Sequence, residues 1–70
     1  MSISEAFGLI LRQTRQDKGL TQERLGELAE LHRTYVSLLE RGQRTPTLDV
    51  LFRLAEALGV PASDLVKELE

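Results

Sequence analysis

Apolar residues recur three and four positions apart along nearly the whole chain, and no stretch alternates in the two-residue period of a strand. The pattern predicts an all-α fold of five helices. The first runs from about Ile3 to Asp17, opened by the S-x-x-E spacing of Ser2 and Glu5 and stopped by Gly19. The second starts after Thr21, a good N-cap, with Leu20 and Leu25 spaced as a hydrophobic staple, and ends near Ala29. The third runs from about Arg33 to Glu40 or Arg41, stapled by Leu31 and Val36 and followed by Gly42. His32 is a poor N-cap for it. After the turn-rich segment Gln43-Arg44-Thr45-Pro46, Thr47 caps a fourth helix with Asp49 in its first turn. Its predicted apolar face is Leu48, Leu51, Leu54, Ala55 and Leu58. Gly59 ends it, and Pro61 opens a fifth helix carrying Leu65, Val66 and Leu69.

Seventy residues suggest one domain, residues 1–70, with Phe7 and Leu11 completing its core from the first helix. A domain of this size buries only about 60% of its unfolded surface, so dimerisation would help it. It has no room for a deep enzyme pocket. No cysteine is present, which excludes disulfides and thiolate metal sites and fits a reducing cytoplasm. The longest apolar run, Phe7 to Leu11, is far short of the roughly 20 residues of a membrane span. The basic opening of a signal peptide is also missing, so a cytoplasmic chain without membrane contact is the expectation. His32, the one histidine, has no spaced cysteine or acidic partner, so no metal is expected.

The net charge of −2 argues mildly against nucleic acid, but the charge is polarised. Residues 1–31 carry four bases against five acids, residues 32–47 three arginines against Glu40, and residues 48–70 two bases against five acids. The middle segment alone is basic. It holds the third helix, joined to the second by only Glu30, Leu31 and His32. Two helices so joined make a helix-turn-helix over about residues 21–41, whose second helix commonly enters the major groove of DNA. Leu25, Gly26, Leu28, Ala29, Leu31, Val36 and Leu39 are the residues expected to face inward. His32, Arg33, Thr34, Ser37, Leu38 and Arg41 are left outward, a face rich in donors for base edges and phosphates.

Residues 20–60 resemble the lambda-repressor-like helix-turn-helix family, the Cro/repressor or xenobiotic-response-element type. The matching string is Leu20-Thr21-Gln22-Glu23-x-Leu25, then Leu31 to Ser37, Leu39-Glu40-Arg41-Gly42, Pro46-Thr47-Leu48, and Leu54 to Val60. The run from His32 to Ser37 also resembles controller proteins of restriction–modification systems. Two positions depart from the family pattern. Glu30 stands where relatives often place a glycine in the turn, and Gly26 where alanine is common. A small residue at Gly26 is expected because the third helix crosses close by.

The resemblance implies that Gln22 sits against a phosphate and that Arg33 and Thr34 read base edges. Arginine can grip guanine O6 and N7 at two points. Ser37 could donate to a base or phosphate. Leu38 could touch a thymine methyl or be partly buried instead. Tyr35 could support the turn while its hydroxyl reaches a phosphate. His32, Arg41, Gln43 and Arg44 are candidates for phosphate contact, and Thr47 presents a second helix N-terminus to the backbone. In the family an arginine of the first helix meets a glutamate near the end of the third, and the resemblance implies that Arg15 and Glu40 form this structural pair. Phe52, Val66 and Leu69 are apolar groups that either fill the core or form an exposed patch, and the resemblance implies that such a patch is the interface of a homodimer through residues of about 48–70.

No P-loop, G-x-G-x-x-G or H-E-x-x-H motif is present, and no pair of carboxylates is placed for hydrolysis, so no enzyme and no cofactor are expected. The expected function is sequence-specific binding of double-stranded DNA by a dimeric transcriptional regulator, with RNA polymerase a candidate further partner. With no separate sensor domain in the sequence, control by concentration and dimer assembly is the simplest expectation. The competing readings are a protein-interaction module, such as an antitoxin, with DNA secondary, and a plain dimeric bundle.

Overall fold

The computed structural model describes residues 1–69. Its helices are α1 (Ile3–Asp17), α2 (Gln22–Ala29), α3 (Arg33–Glu40), α4 (Leu48–Leu58) and the single turn α5 (Ser63–Val66), continued as a 3₁₀ turn over Lys67–Leu69. Among the described residues there is no strand.

Local chemistry sets the helix starts. Ser2 and Glu5 form a complete capping box, the Ser2 hydroxyl accepting from the Glu5 N–H while the Glu5 carboxylate accepts from the Ser2 N–H. Hydrogen bonds from the Ser2 backbone, and secondly from its hydroxyl, hold the Glu5 carboxyl below the ordinary carboxylate range. The Thr21 hydroxyl accepts from the Arg24 N–H at 3.0 Å and the Thr47 hydroxyl from the Val50 N–H at 3.1 Å. His32, unpromising as a cap by residue type, caps α3 with its ring, Nδ1 accepting from the Thr34 N–H at 3.0 Å.

One core gathers residues from every helix. Phe7 and Leu11 of α1, Leu25 and Ala29 of α2, Val36 and Leu39 of α3, Leu51, Leu54 and Leu58 of α4, and Leu65 of α5 are all buried. The helix α3 packs against α1 and α2, α4 against α2, and α5 against α1. α1 and the end of α3 approach closely. A Cβ on Gly8 would lie 2.5 Å from the carbonyl oxygens of both Leu39 and Glu40. Just beyond, Gly42 turns the chain with φ +73°, and a Cβ there would meet the backbone of Glu5 at 2.8 Å. Two constraints therefore converge on that residue, a left-handed backbone and the lack of space.

Four expectations need correction. Leu48 does not belong to the buried face of α4: it is 75% exposed, and Val50 is buried in its stead. Leu28 likewise points outward from α2. The fifth helix begins at Ser63 rather than Pro61, because the bonds from Asp64 N to Pro61 O and Leu65 N to Ala62 O close tighter three-residue turns. Gly26 is confined by the turn rather than by the body of α3. A Cβ there would lie 2.5 Å from the Leu31 carbonyl, so even alanine would require the backbone to shift.

Glu30, at the end of α2, is the one non-glycine residue with positive φ among those described (φ 58°, ψ 44°). An L-residue in this region costs on the order of 1 kcal/mol relative to glycine. Glu30→Gly is expected to raise the melting temperature by about 4–8 °C in a domain of this size. A lower melting temperature would show that contacts of the Glu30 side chain outweigh the strain of its backbone.

Candidate nucleic-acid interface

The sharp bend between α2 and α3 is held from three sides. The Leu31 N–H donates to the Gly26 carbonyl at 2.8 Å, closing the end of α2. His32 caps α3 from within the turn. From α4, Arg53 donates through Nε to the Ala29 carbonyl at 3.1 Å and through Nη2 to the Glu30 carbonyl at 2.6 Å. Its Nη1 donates to Asp49 at 3.1 Å. A charged guanidinium on the last carbonyls of a helix satisfies groups the helix cannot, and suits its dipole. No signal in the sequence marks this role of Arg53. Its spacing from Asp49 signals a local pair, but nothing in a one-dimensional pattern marks a reach of 24 residues to Ala29.

The N-termini of α2 and α3 converge on an open groove lined by Arg15, Thr21, Gln22, Glu23, Arg33, Thr34 and Ser37. At its base lies a polar network. The Glu40 carboxylate, with its side chain 3% exposed, accepts from Arg15 Nε at 2.6 Å and Nη2 at 3.1 Å, and from Gln22 Nε2 at 3.0 Å. Arg15 Nη1 donates to the Leu20 carbonyl at 2.8 Å. The two-point geometry is the strong form of a charge-assisted bond. Among the described residues no buried side-chain polar atom lacks a partner. Gln22 is thus fixed from inside, with part of its donor capacity turned to Glu40 rather than outward. That share in the network was absent from the sequence reading.

Around the rim, His32, Arg33 and Thr34 are exposed, while Ser37 and Leu38 are half-buried. Tyr35 is half-buried as well, packed against the core. Arg33 Nη1 donates to Glu23 Oε2 across the groove at 3.1 Å. Beyond α3, Arg41 donates to the Ser37 carbonyl and Arg44 to the Gln43 carbonyl, and among the described residues neither forms an ion pair. Gln43, Arg44 and Thr47 are exposed. The Ser4 and Thr45 hydroxyls share a hydrogen bond that ties this loop to α1. Thr47 uses its oxygen as the α4 cap, which leaves its O–H free to donate.

The three residues expected to be apolar surplus do not lie alike. Phe52 is 60% exposed, but Val66 and Leu69 are half-buried against the core. With Leu48 one turn before it, Phe52 forms the outward apolar face of α4. No helix is long and apolar enough to cross a membrane, and no group of three or more metal-ligating side chains occurs among the described residues.

The chain is similar in sequence and fold to known proteins. The sequence model of the helix-turn-helix family HTH_3 matches residues 11–65. The control protein C.BamHI of Bacillus amyloliquefaciens is 44% identical over 61 residues, spanning 86% of this chain and 75% of that protein. An uncharacterised HTH-type transcriptional regulator of Sinorhizobium fredii, y4dJ, is 41% identical over 66 residues, 94% of this chain and 86% of its own. The crystal structure of the restriction-modification controller protein C.AhdI from Aeromonas hydrophila superposes with a TM-score of 0.87 at 44% identity, covering 89% of this chain and 94% of that one. These are regulators rather than enzymes. With its turn, its capped third helix and its match over residues 11–65, the chain belongs to the lambda-repressor-like helix-turn-helix family of transcriptional regulators.

Proposed function

We propose that this protein is a cytoplasmic transcriptional regulator that binds double-stranded DNA as a homodimer, laying α3 in the major groove of each half of a near-palindromic site. The observation that carries the reading is the groove where the N-termini of α2 and α3 meet, which presents Arg33, Thr34 and Ser37 beside an internally fixed Gln22. Arg33 and Thr34 stand in the first turn of α3, where side chains of a recognition helix reach base edges. Leu38 is half-buried, which limits it to the edge of such a contact. His32, Arg41, Gln43, Arg44 and Thr47 supply phosphate contacts, which set register without reading sequence. Leu48 and Phe52 supply the apolar centre of the dimer contact, and the half-buried Val66 and Leu69 add to it from the last turns of the chain. Two recognition helices then lie about 34 Å apart, one turn of DNA. RNA polymerase is the candidate second partner of a promoter-bound dimer.

Selection of bound duplexes from a random pool, followed by titration at several salt concentrations, tests the proposal. The expected product is a near-palindrome bound by two subunits, with log affinity falling against log salt at a slope of roughly −4 to −5, for two or three arginines per subunit. The double variant Arg33→Glu, Arg44→Glu is expected to abolish that binding while its helical circular dichroism stays intact. A failure to enrich any duplex at low salt would overturn the proposal and favour protein contact as the use of this face.

A further inference from the structure

Most of the cations near the recognition groove are already matched by a carboxylate. Arg15 is held by Glu40, Arg24 by Glu27 at 3.2 Å, and Arg33 by Glu23 at 3.1 Å. The last pair differs from the others in its place. It is exposed on both sides, 66% and 64%, and it crosses the groove from the first turn of α2 to the first turn of α3. It engages one nitrogen, Nη1, and leaves the Nε–Nη2 edge of Arg33 open. That edge has the two parallel N–H groups that guanine O6 and N7 accept. Resting on the DNA-binding reading above, we infer that Glu23 is a specificity-determining residue. It braces the exposed Arg33 through a single nitrogen, and it sets a negative charge at a surface that phosphates must approach. A duplex offering guanine at the right step compensates that repulsion through Arg33. A duplex without it meets the repulsion alone, and the net charge of −2 leaves little general attraction to offset it.

The experiment compares wild type, Glu23→Gln and Glu27→Gln. Each is titrated at one salt concentration with the duplex selected by wild type and with a scrambled duplex of equal length. Glu27→Gln removes the same charge one turn further along α2 without touching the partner of Arg33. Exposed pairs contribute little to stability, so both variants are expected to melt near wild type. Glu23→Gln is expected to bind the scrambled duplex more tightly and to gain less, or lose, on the selected one. The ratio of the two affinities should fall by about five-fold or more, the range of one two-point base contact, while Glu27→Gln keeps the wild-type ratio. An unchanged ratio in Glu23→Gln, or an equal fall in Glu27→Gln, overturns the inference. Failure of wild type to prefer any duplex would instead overturn the DNA-binding reading on which it rests.

Discussion

Glu40→Ala is expected to cost about 3–5 kcal/mol, the range for removing one partner of a buried ion pair. The substitution leaves Arg15, whose side chain is only 11% exposed, charged and without its two-point partner, and it also frees the Gln22 amide. A chain of this length has a total stability of about 4–10 kcal/mol. In the lower half of that range much of the population would be unfolded at 37 °C, and throughout it urea denaturation should show a midpoint far below wild type. The double variant Arg15→Met, Glu40→Leu separates two explanations. If the cost comes from stranding a charge rather than from losing the pair's attraction, the double variant recovers much of the stability. It would still lack the anchor of Gln22, so recovered folding with weakened DNA binding is its expected signature.

Gly8→Ala is the second severe change, although it adds only a methyl group. On an isolated helix alanine would be favoured over glycine by about 1 kcal/mol. Here the new Cβ would lie 2.5 Å from two carbonyl oxygens of α3, both belonging to backbone. The end of α3 must move away, at a typical overpacking cost of about 1–3 kcal/mol, which leaves a net loss of up to about 2 kcal/mol after the propensity gain. Because Glu40 is one of the two residues displaced, its carboxylate moves with it, and the network below the groove loosens. Thermal melting is expected to show a lower midpoint, and affinity for the selected duplex should fall although Gly8 is remote from the groove. An unchanged midpoint would mean that α1 and α3 separate without penalty.

These two positions show what was legible in the sequence and what was not. Caps are local chemistry, so Ser2, Thr21 and Thr47 announced three helix starts within a residue of where they fall. The left-handed residue at Glu30 was legible only through the resemblance, since glutamate by itself gives no sign of positive φ. Apolar periodicity identifies α4, but it cannot tell a buried leucine from one at the helix start that faces outward, as Leu48 does. The final helix starts later than Pro61 suggests, because its span has a single buried side chain, Leu65, and the chain before it turns more tightly than an α-helix. Gly8 carried no signal, because the crowding around it comes from carbonyl groups more than 30 residues away. For the groove, Arg33, Thr34 and Ser37 could be read from the face of one helix. The pairs Gln22–Glu40 and Glu23–Arg33 join separate elements and required coordinates.

Arg53 gives the molecule a mechanical property. Its guanidinium bolts the elbow between α2 and α3 onto α4, the same helix that carries Leu48 and Phe52 on its outer side. In the proposed dimer each reading head is therefore clamped to the hinge-pin of the assembly, with no compliant joint between them. Such a pair behaves as a calliper of fixed jaw opening. It measures the separation of two half-sites as strictly as it reads either one, and a single base pair added between them would lift one jaw out of the groove.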